Sequence, residues 1–222
     1  MQDTARKLSD PARDIRYLLK RNYPRSSAIN FVSNHYRLSE KERHILTRVI
    51  VAPNVVDSRS RKQLECTDIK GRDVIVDGYN VLITIENMLV LKNEPLWLGD
   101  DGYVRDTRGV FRNYAVTDTT YQAVDAMLAL LAECKVGSVT ILLDSQMSNS
   151  GELARFIRSK LTEYLLDGDA RTSRHADFDL KNAGSSVVVA TADGVIIDAV
   201  QEVVDIGRCM MESRELKASR IA

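Results

Sequence analysis

The sequence predicts an α/β protein with a small helical domain at its N-terminal end, residues 1–65, and a larger domain with a mostly parallel sheet, residues 72–222. Three observations predict it. Apolar residues near the start recur at helical spacing, as at Ile15, Leu18 and Leu19. From Val74 onward, short β-branched runs alternate with longer amphipathic segments. Three of those runs end in the same residue type: Val74–Val76 before Asp77, Val139–Leu143 before Asp144, and Val187–Thr191 before Asp193.

In the helical domain, Ser9-Asp10-Pro11 offers a cap followed by Pro at the first helical position, so the first helix is expected from Pro11 to about Asn22. Pro24 closes it, because the residue before a proline avoids helical geometry. A second helix is expected to Tyr36, with Ala28, Ile29, Val32 and Tyr36 on one face. Ser39-Glu40-Lys41-Glu42 forms a capping box, in which the Ser side chain takes an orphan N–H and the Glu reaches back. The third helix then carries Ile45, Leu46, Val49 and Ile50 inward and stops at Pro53. Residues 54–70 are polar and charged, and read as a linker.

In the second domain, the first strand is followed by a helical or irregular stretch from Ile83 to Val90. The segment Lys92–Asp118 is too long for a plain connector, and long loops tend to be functional or mobile. Its Asp101-Gly102 suits a hairpin between Leu96-Trp97-Leu98 and Tyr103-Val104. Arg105 and Asp106 beside it either reach the site or form a structural pair. Helices are expected after Thr117 or Asp118, closed by Gly137, and after Ser148-Asn149-Ser150, ended by Gly168. A last helix is expected to hold Val200, Val203, Val204 and Met211.

Composition excludes several classes. The chain has 222 residues, 44% of them hydrophobic and 28% charged, which is ordinary globular composition. No run of about 18 apolar residues exists, so no membrane span is expected. The first residues are polar and charged, without an apolar leader segment, which makes the cytoplasm the expected location. Cys66, Cys134 and Cys209 are odd in number and far apart. They suggest reduced buried thiols rather than a zinc knuckle or a disulfide framework. The net charge is zero, but residues 1–72 hold 16 Lys/Arg against 8 Asp/Glu, and residues 73–222 hold 15 against 23. That asymmetry fits a polyanion-binding part beside a metal-binding part, and equally two domains that dock on each other.

If the three Asp-terminated strands are parallel neighbours, their carboxyl ends line one crevice, where open α/β sheets bind ligands. Converging carboxylates repel unless a hard cation lies between them. Asp77, Asp144 and Asp193 therefore suggest a metal-dependent site, and the chemistry most in keeping with it is phosphodiester hydrolysis. Taken singly, each Asp also serves as a turn or cap residue. The Ser/Gly-rich turn into Ser150 exposes backbone N–H groups at a helix N-terminus, which suits an anion, or Ser150 only caps the helix.

With Asp77-Gly78-Tyr79-Asn80, Asp144, Ala176-Asp177-Phe178-Asp179 and Ala190-Thr191-Ala192-Asp193 in view, residues 73 to about 205 resemble the PIN-like nucleases, most closely the NYN branch. The whole chain also resembles an uncharacterised prokaryotic domain-of-unknown-function family that joins a helical domain to a PIN-like one. The resemblance implies a three-layer α/β/α domain and Mg2+- or Mn2+-dependent hydrolysis of RNA. It implies Asp77 as first metal ligand, with Asn80 orienting it or touching substrate. Asp177 or Asp179 would supply the helical acid, and Asp193 the last one, with Asp198 as helper. Asp144 matches a strand-terminal acid of some members. Arg105, Ser150 and Thr191 complete the expected substrate contacts. RNA is the expected partner, with room left for a homo-oligomer and no membrane partner. Two departures stand out: the apolar Gly194-Val195-Ile196-Ile197 after Thr-x-Asp, and the 92–118 insertion.

Two other enzyme readings fall away. A haloacid-dehalogenase-type phosphatase needs a second Asp where Tyr79 stands, and no GxGxxG or GxxxxGK[ST] phosphate loop is present. The remaining rival is a PIN-like RNA-binding or scaffold protein that does not cut.

Overall fold

The computed structural model describes residues 2–90, 96–106 and 114–222. In chain order, the described elements begin with α1 (Gln2–Lys20), α2 (Arg25–His35), α3 (Glu40–Val49), α4 (Pro53–Ser60), β1 (Gln63–Leu64), a 3-10 turn (Cys66–Ile69), β2 (Asp73–Asp77) and α5 (Gly78–Leu89). There follow β3 (Trp97–Leu98), β4 (Val104–Arg105), α6 (Asp118–Glu133), β5 (Ser138–Asp144), α7 (Ser150–Glu163) and β6 (Gly168–Ser173). The chain closes with α8 (Ala176–Lys181), β7 (Val188–Ala190), α9 (Gly194–Ala199), β8 (Val203–Val204) and α10 (Ile206–Ser213). It divides into two compact units: Met1–Arg61 with Leu91–Arg108 and Lys217–Ala222, and Lys62–Val90 with Gly109–Leu216. Where the sequence suggests contiguous domains 1–65 and 72–222, the hairpin and the C-terminal tail belong to the first unit.

The first unit packs α1, α2 and α3 around Leu8, Ile15, Ile29, Leu46 and Val49, joined by Trp97 and Ile221. Helix α1 does not begin at Pro11 but runs through it from Gln2. Leu8, Ala12, Ile15 and Leu19 share one face and are all buried, so extending the helix buries a further turn of the stripe. Ser9, read from sequence as part of a cap, instead donates to the Ala5 carbonyl within the helix. The Ser39–Glu42 capping box forms at the start of α3. Helix α3 ends at Val49, short of Pro53, and Pro53 instead starts α4 as its first residue, so the expected linker 54–70 is a helix, a short strand and a 3-10 turn. Strands β3 and β4 make the expected antiparallel hairpin, and its Gly102 takes the left-handed conformation at φ 84°. Within Lys92–Asp118, residues 92–95 and 107–113 lie outside the described residues.

The second unit holds a six-stranded sheet of order β1-β8-β7-β2-β5-β6, with every pairing parallel. Parallel strands need right-handed crossovers. From β2 the chain moves outward to β5 and β6, with α5, α6 and α7 on one face. It then returns past β2 to β7 and β8, with α8 and α9 on the other. The helix contacts match this layering: α5 meets α6 and α10, α6 meets α7, and α8 meets α9. Ile75, Leu142 and Val189 point to the α8/α9 side, against Leu180 and Ile196. The result is a sheet between two helical layers.

Several expectations change here. Gly168 does not end a helix. Helix α7 stops at Glu163, Leu165 turns left-handed at φ 54°, and Gly168 opens the edge strand β6. Val203 and Val204 are not helical but form β8, between β1 and β7. A Cβ on Gly168 would lie 2.0 Å from the Val139 carbonyl oxygen, so only glycine lets β6 approach β5. Gly168→Ala is therefore expected to destabilise the protein by about 1–3 kcal/mol, read as a lower urea midpoint. An unchanged midpoint would mean that β6 moves aside without cost.

Cys66 and Cys209 form a disulfide, with Cα atoms 5.9 Å apart, where the sequence suggested reduced thiols. The cause lies in the sheet. Leu64 pairs with Val204, so the parallel β1–β8 ladder brings the segments after both strands together. Arg208 and Glu65 pair beside it at 3.4 Å. Cys134 is a free thiol, pushed up from its ordinary pKa by burial. Among the described residues no helix is long and apolar enough to cross a membrane.

Candidate functional site

The order of the strands creates a switch point at β2. The chain leaves it toward β5 on one side and comes back to β7 on the other, and such points open a crevice at the carboxyl ends of the strands. Asp77 ends β2, and Thr191, Ala192 and Asp193 follow β7. Asp77 shares the strand face of Ile75, and Asp144 that of Leu142, because residues two apart on a strand point the same way. Both carboxylates thus lie on the α8/α9 side of the sheet.

A hydrogen-bond chain joins the two strand ends. The Thr191 hydroxyl donates to Asp77 Oδ2 at 2.8 Å, and accepts from the Asp193 backbone N–H at 3.0 Å. Asn80 Oδ1 accepts from the Ala192 N–H at 2.9 Å, and the Asn80 backbone N–H donates to Asp77. Asn80 and Thr191 are both buried, so these bonds are shielded from water. Gly78 is required by the same geometry: a Cβ there would sit 2.7 Å from the Leu142 carbonyl oxygen. Burial, and then the carboxylates of Asp193 and Asp177, push Asp77 up from 3.8 to about 7, against the Thr191 hydrogen bond.

The remaining expected residues differ in what they do. Asp193 Oδ1 caps α9, accepting from the N–H groups of Val195 (2.7 Å) and Ile196 (3.4 Å). Asp177 opens α8, is exposed, and is close enough to act on Asp77. Asp179 lies about 200° further round the helix, so the two acids cannot face one point. Asp198 sits at the far end of α9, roughly 7 Å along the axis from Asp193, where its backbone oxygen accepts from Lys62 Nζ. Asp144 Oδ1 accepts from the Gln146 N–H at 2.8 Å. Ser150 is buried at the start of α7, and the cap position itself is Asn149, left-handed at φ 62°. Arg105 belongs to the first unit, where its guanidinium meets the buried Asp101 at 2.7 Å beside Arg59, also at 2.7 Å.

The donor set is all oxygen, which suits a hard divalent cation. Asp77, Asp193 and Asp177 are the residues that would hold it. Among the described residues, however, no three His, Cys, Asp or Glu side chains already stand as a group able to hold a metal. Any such ion would keep much of its shell as water and phosphate oxygen, the usual habit of Mg2+.

Residues 66–209 match the family described as "Domain of unknown function (DUF5616)". The chain belongs to the DUF5616 family. Residues 7–62 match a second description, "Protein of unknown function (DUF434)". The uncharacterized protein MJ0935 of Methanocaldococcus jannaschii is 35% identical over 195 residues, covering 87% of this chain and 91% of its own. No solved structure matches. The DUF5616 region takes in Asp77, Asn80, Asp144, Asp177, Thr191 and Asp193 together.

Two side chains of this DUF5616 chain carry features the sequence reading did not assign. Tyr79 has a buried hydroxyl without a hydrogen-bond partner and is pushed up to about 12 by burial and by Asp144. Its ring packs edge-on against Tyr114 at 5.3 Å. Asp205 follows β8 as a further strand-terminal acid, buried, and accepts from the Arg208 N–H at 3.0 Å. Only the misread strand β8 hid it; the Val-Val-Asp pattern is the same signal as at Asp77.

Proposed function

We propose that the chain is a PIN-like, metal-dependent ribonuclease that hydrolyses RNA phosphodiester bonds at the carboxyl ends of β2 and β7. One observation carries this reading: Asp77, at the switch point, is pushed up to about 7 by burial and by two neighbouring carboxylates. Burial is the largest cause of that shift, and the geometry that supports the reading is the Thr191 and Asn80 scaffold tying Asp77 to the turn before Asp193. Mg2+ or Mn2+ there would offset the charge that builds on the phosphate. The protein's own part is positional. Thr191 and the Asn80 N–H fix the Asp77 carboxylate, and the Asn80 side chain locks the turn after β7. Asp177, exposed in the first turn of α8 and near enough to act on Asp77, would complete the carboxylates that hold the ion.

One observation favours a second reading, an RNA-binding protein that does not cut. Asp193 and Asp144 already spend an oxygen on local backbone, and no three-residue metal group stands among the described residues. A labelled pool of structured and single-stranded RNA, incubated with Mn2+ or Mg2+, separates the two. The ribonuclease reading expects cutting by wild type and none by Asp77→Asn. No cutting by wild type, with RNA binding intact in both, leaves the binding protein.

A further inference from the structure

In the helical unit, α1 and α2 leave a groove of about 170 Å³ between them. Its lining is Asp14, Tyr17 and Leu18 from α1 with Phe31, Val32 and His35 from α2. The aromatic walls are unusually open to water: Phe31 is 68% exposed and Tyr17 56%. Tyr23, at the turn joining the two helices, is 54% exposed. Exposed aromatics grouped around one groove mark an interaction surface. Arg21 already lies over the Tyr17 ring, 4.7 Å from its centroid. Asp14 holds the floor and accepts from the Tyr36 hydroxyl at 2.7 Å.

We propose that this groove is a stacking site for a base of single-stranded RNA, held between Phe31 and Tyr17, with Arg21 meeting an adjacent phosphate. The inference rests on the reading of RNA as substrate and adds where the strand is held outside the cutting site. The groove has the volume of several waters, at about 30 Å³ each, which is the scale of one planar ring rather than of a folded partner. The charge of this unit favours a polyanion: residues 1–61 hold 13 Lys/Arg against 6 Asp/Glu, and Lys20 and Arg21 stand at the end of α1 beside the turn between the helices. Aromatic faces beside arginine are the general means of gripping single strands, because every base has a π-face. Asp14 accepts only, so it suits a base that offers an exocyclic amine.

The test uses the full chain, a short fluorescein-labelled oligoadenylate, and EDTA so that no cutting occurs. Stacking is worth about 1–3 kcal/mol per base, so Phe31→Ala is expected to weaken binding about tenfold. Phe31→Tyr is expected to stay within about twofold of wild type, since the ring face remains. Phe31 is on the surface, so its thermal unfolding should match wild type and exclude a folding defect. Wild-type affinity in both Phe31→Ala and Tyr17→Ala overturns the inference. So does an absence of wild-type binding. So does a self-associating wild type, seen by sedimentation, that Phe31→Ala makes monomeric without changing RNA affinity, because the occupant is then a second copy. Binding through Phe31 without any Mn2+-dependent cutting leaves this inference standing and removes the ribonuclease reading. Cutting with no effect of Phe31→Ala on binding does the reverse.

Discussion

Asp77→Asn is expected to abolish metal-dependent RNA cleavage and, in the metal-free protein, to raise stability at alkaline pH. The two effects have one cause. The folded protein holds the Asp77 proton up to about pH 7, whereas the ordinary carboxyl loses it near 3.8. The folded state therefore binds the proton more tightly than the unfolded chain. Asp77 costs nothing below pH 3.8, costs progressively more as pH rises toward 7, and keeps that cost above. At about 1.4 kcal/mol per pH unit, the full cost is on the order of 4 kcal/mol. Asn carries no charge, and its one amide oxygen still accepts from the Thr191 hydroxyl. Urea unfolding of both proteins in EDTA, at about pH 5 and about pH 8, checks it. The advantage of the variant should grow with pH. Added Mn2+ should then stabilise wild type and leave the variant unmoved, since binding to the folded state alone adds stability by mass action. A constant gap between the two proteins across pH would sink the electrostatic account. An equal response to Mn2+ would sink the metal site.

The parts of the sheet that the sequence announces are those buried on both faces. Val74–Val76 and Val187–Ala190 are continuous apolar runs, and Val139–Leu143 is interrupted only by Thr140, because helices cover them above and below. The edge strand β6 is illegible for the opposite reason. Gly168-Asp169-Ala170-Arg171-Thr172-Ser173 buries only Ala170, so no alternation is left to read. At two residues each, β1 and β8 are too short to show a period, and Val203 and Val204 fit the spacing of Val200 and Met211 well enough to pass for a helix face. Pro11 misleads in another way. Its preference for the first helical turn is local, while burial of Leu8 and Ala12 on one stripe is a tertiary gain that outweighs it.

The candidate site divides along the same line. Asp77, Asp144 and Asp193 can be found by position, since each follows a readable strand. Which helical acid faces Asp77 depends on the phase at which α8 begins, and that is fixed by Ala176, Leu180 and Ala183 packing on the sheet rather than by the Asp-x-Asp spacing. Asp198 is misplaced because a six-residue helix, α9, carries it away from the sheet's carboxyl edge. Arg105 shows the limit of reading by proximity in sequence: it is near an acidic pair, Asp100-Asp101, and binds one of them within the first unit.

Cys209→Ser gives the second large expected effect. The Cys66–Cys209 link closes a loop of 143 residues, nearly the whole second unit. A crosslink that long restricts the unfolded chain strongly: the chain-entropy estimate approaches 5 kcal/mol, and measured values for disulfides are more often 2–4 kcal/mol. In the folded protein the same two segments are already held together by the β1–β8 ladder and the Arg208–Glu65 pair, so the fold should survive without the bond. Wild type is therefore expected to lose about 2–4 kcal/mol when reductant is added before unfolding. Cys209→Ser should start at that lower value and ignore reductant. The slope with urea should also rise when the bond is absent, because the freed chain exposes more surface on unfolding. Three titratable thiols in the non-reduced, unfolded wild type, together with no response to reductant, would show that the two sulfurs meet without joining, and that the ladder alone holds this edge.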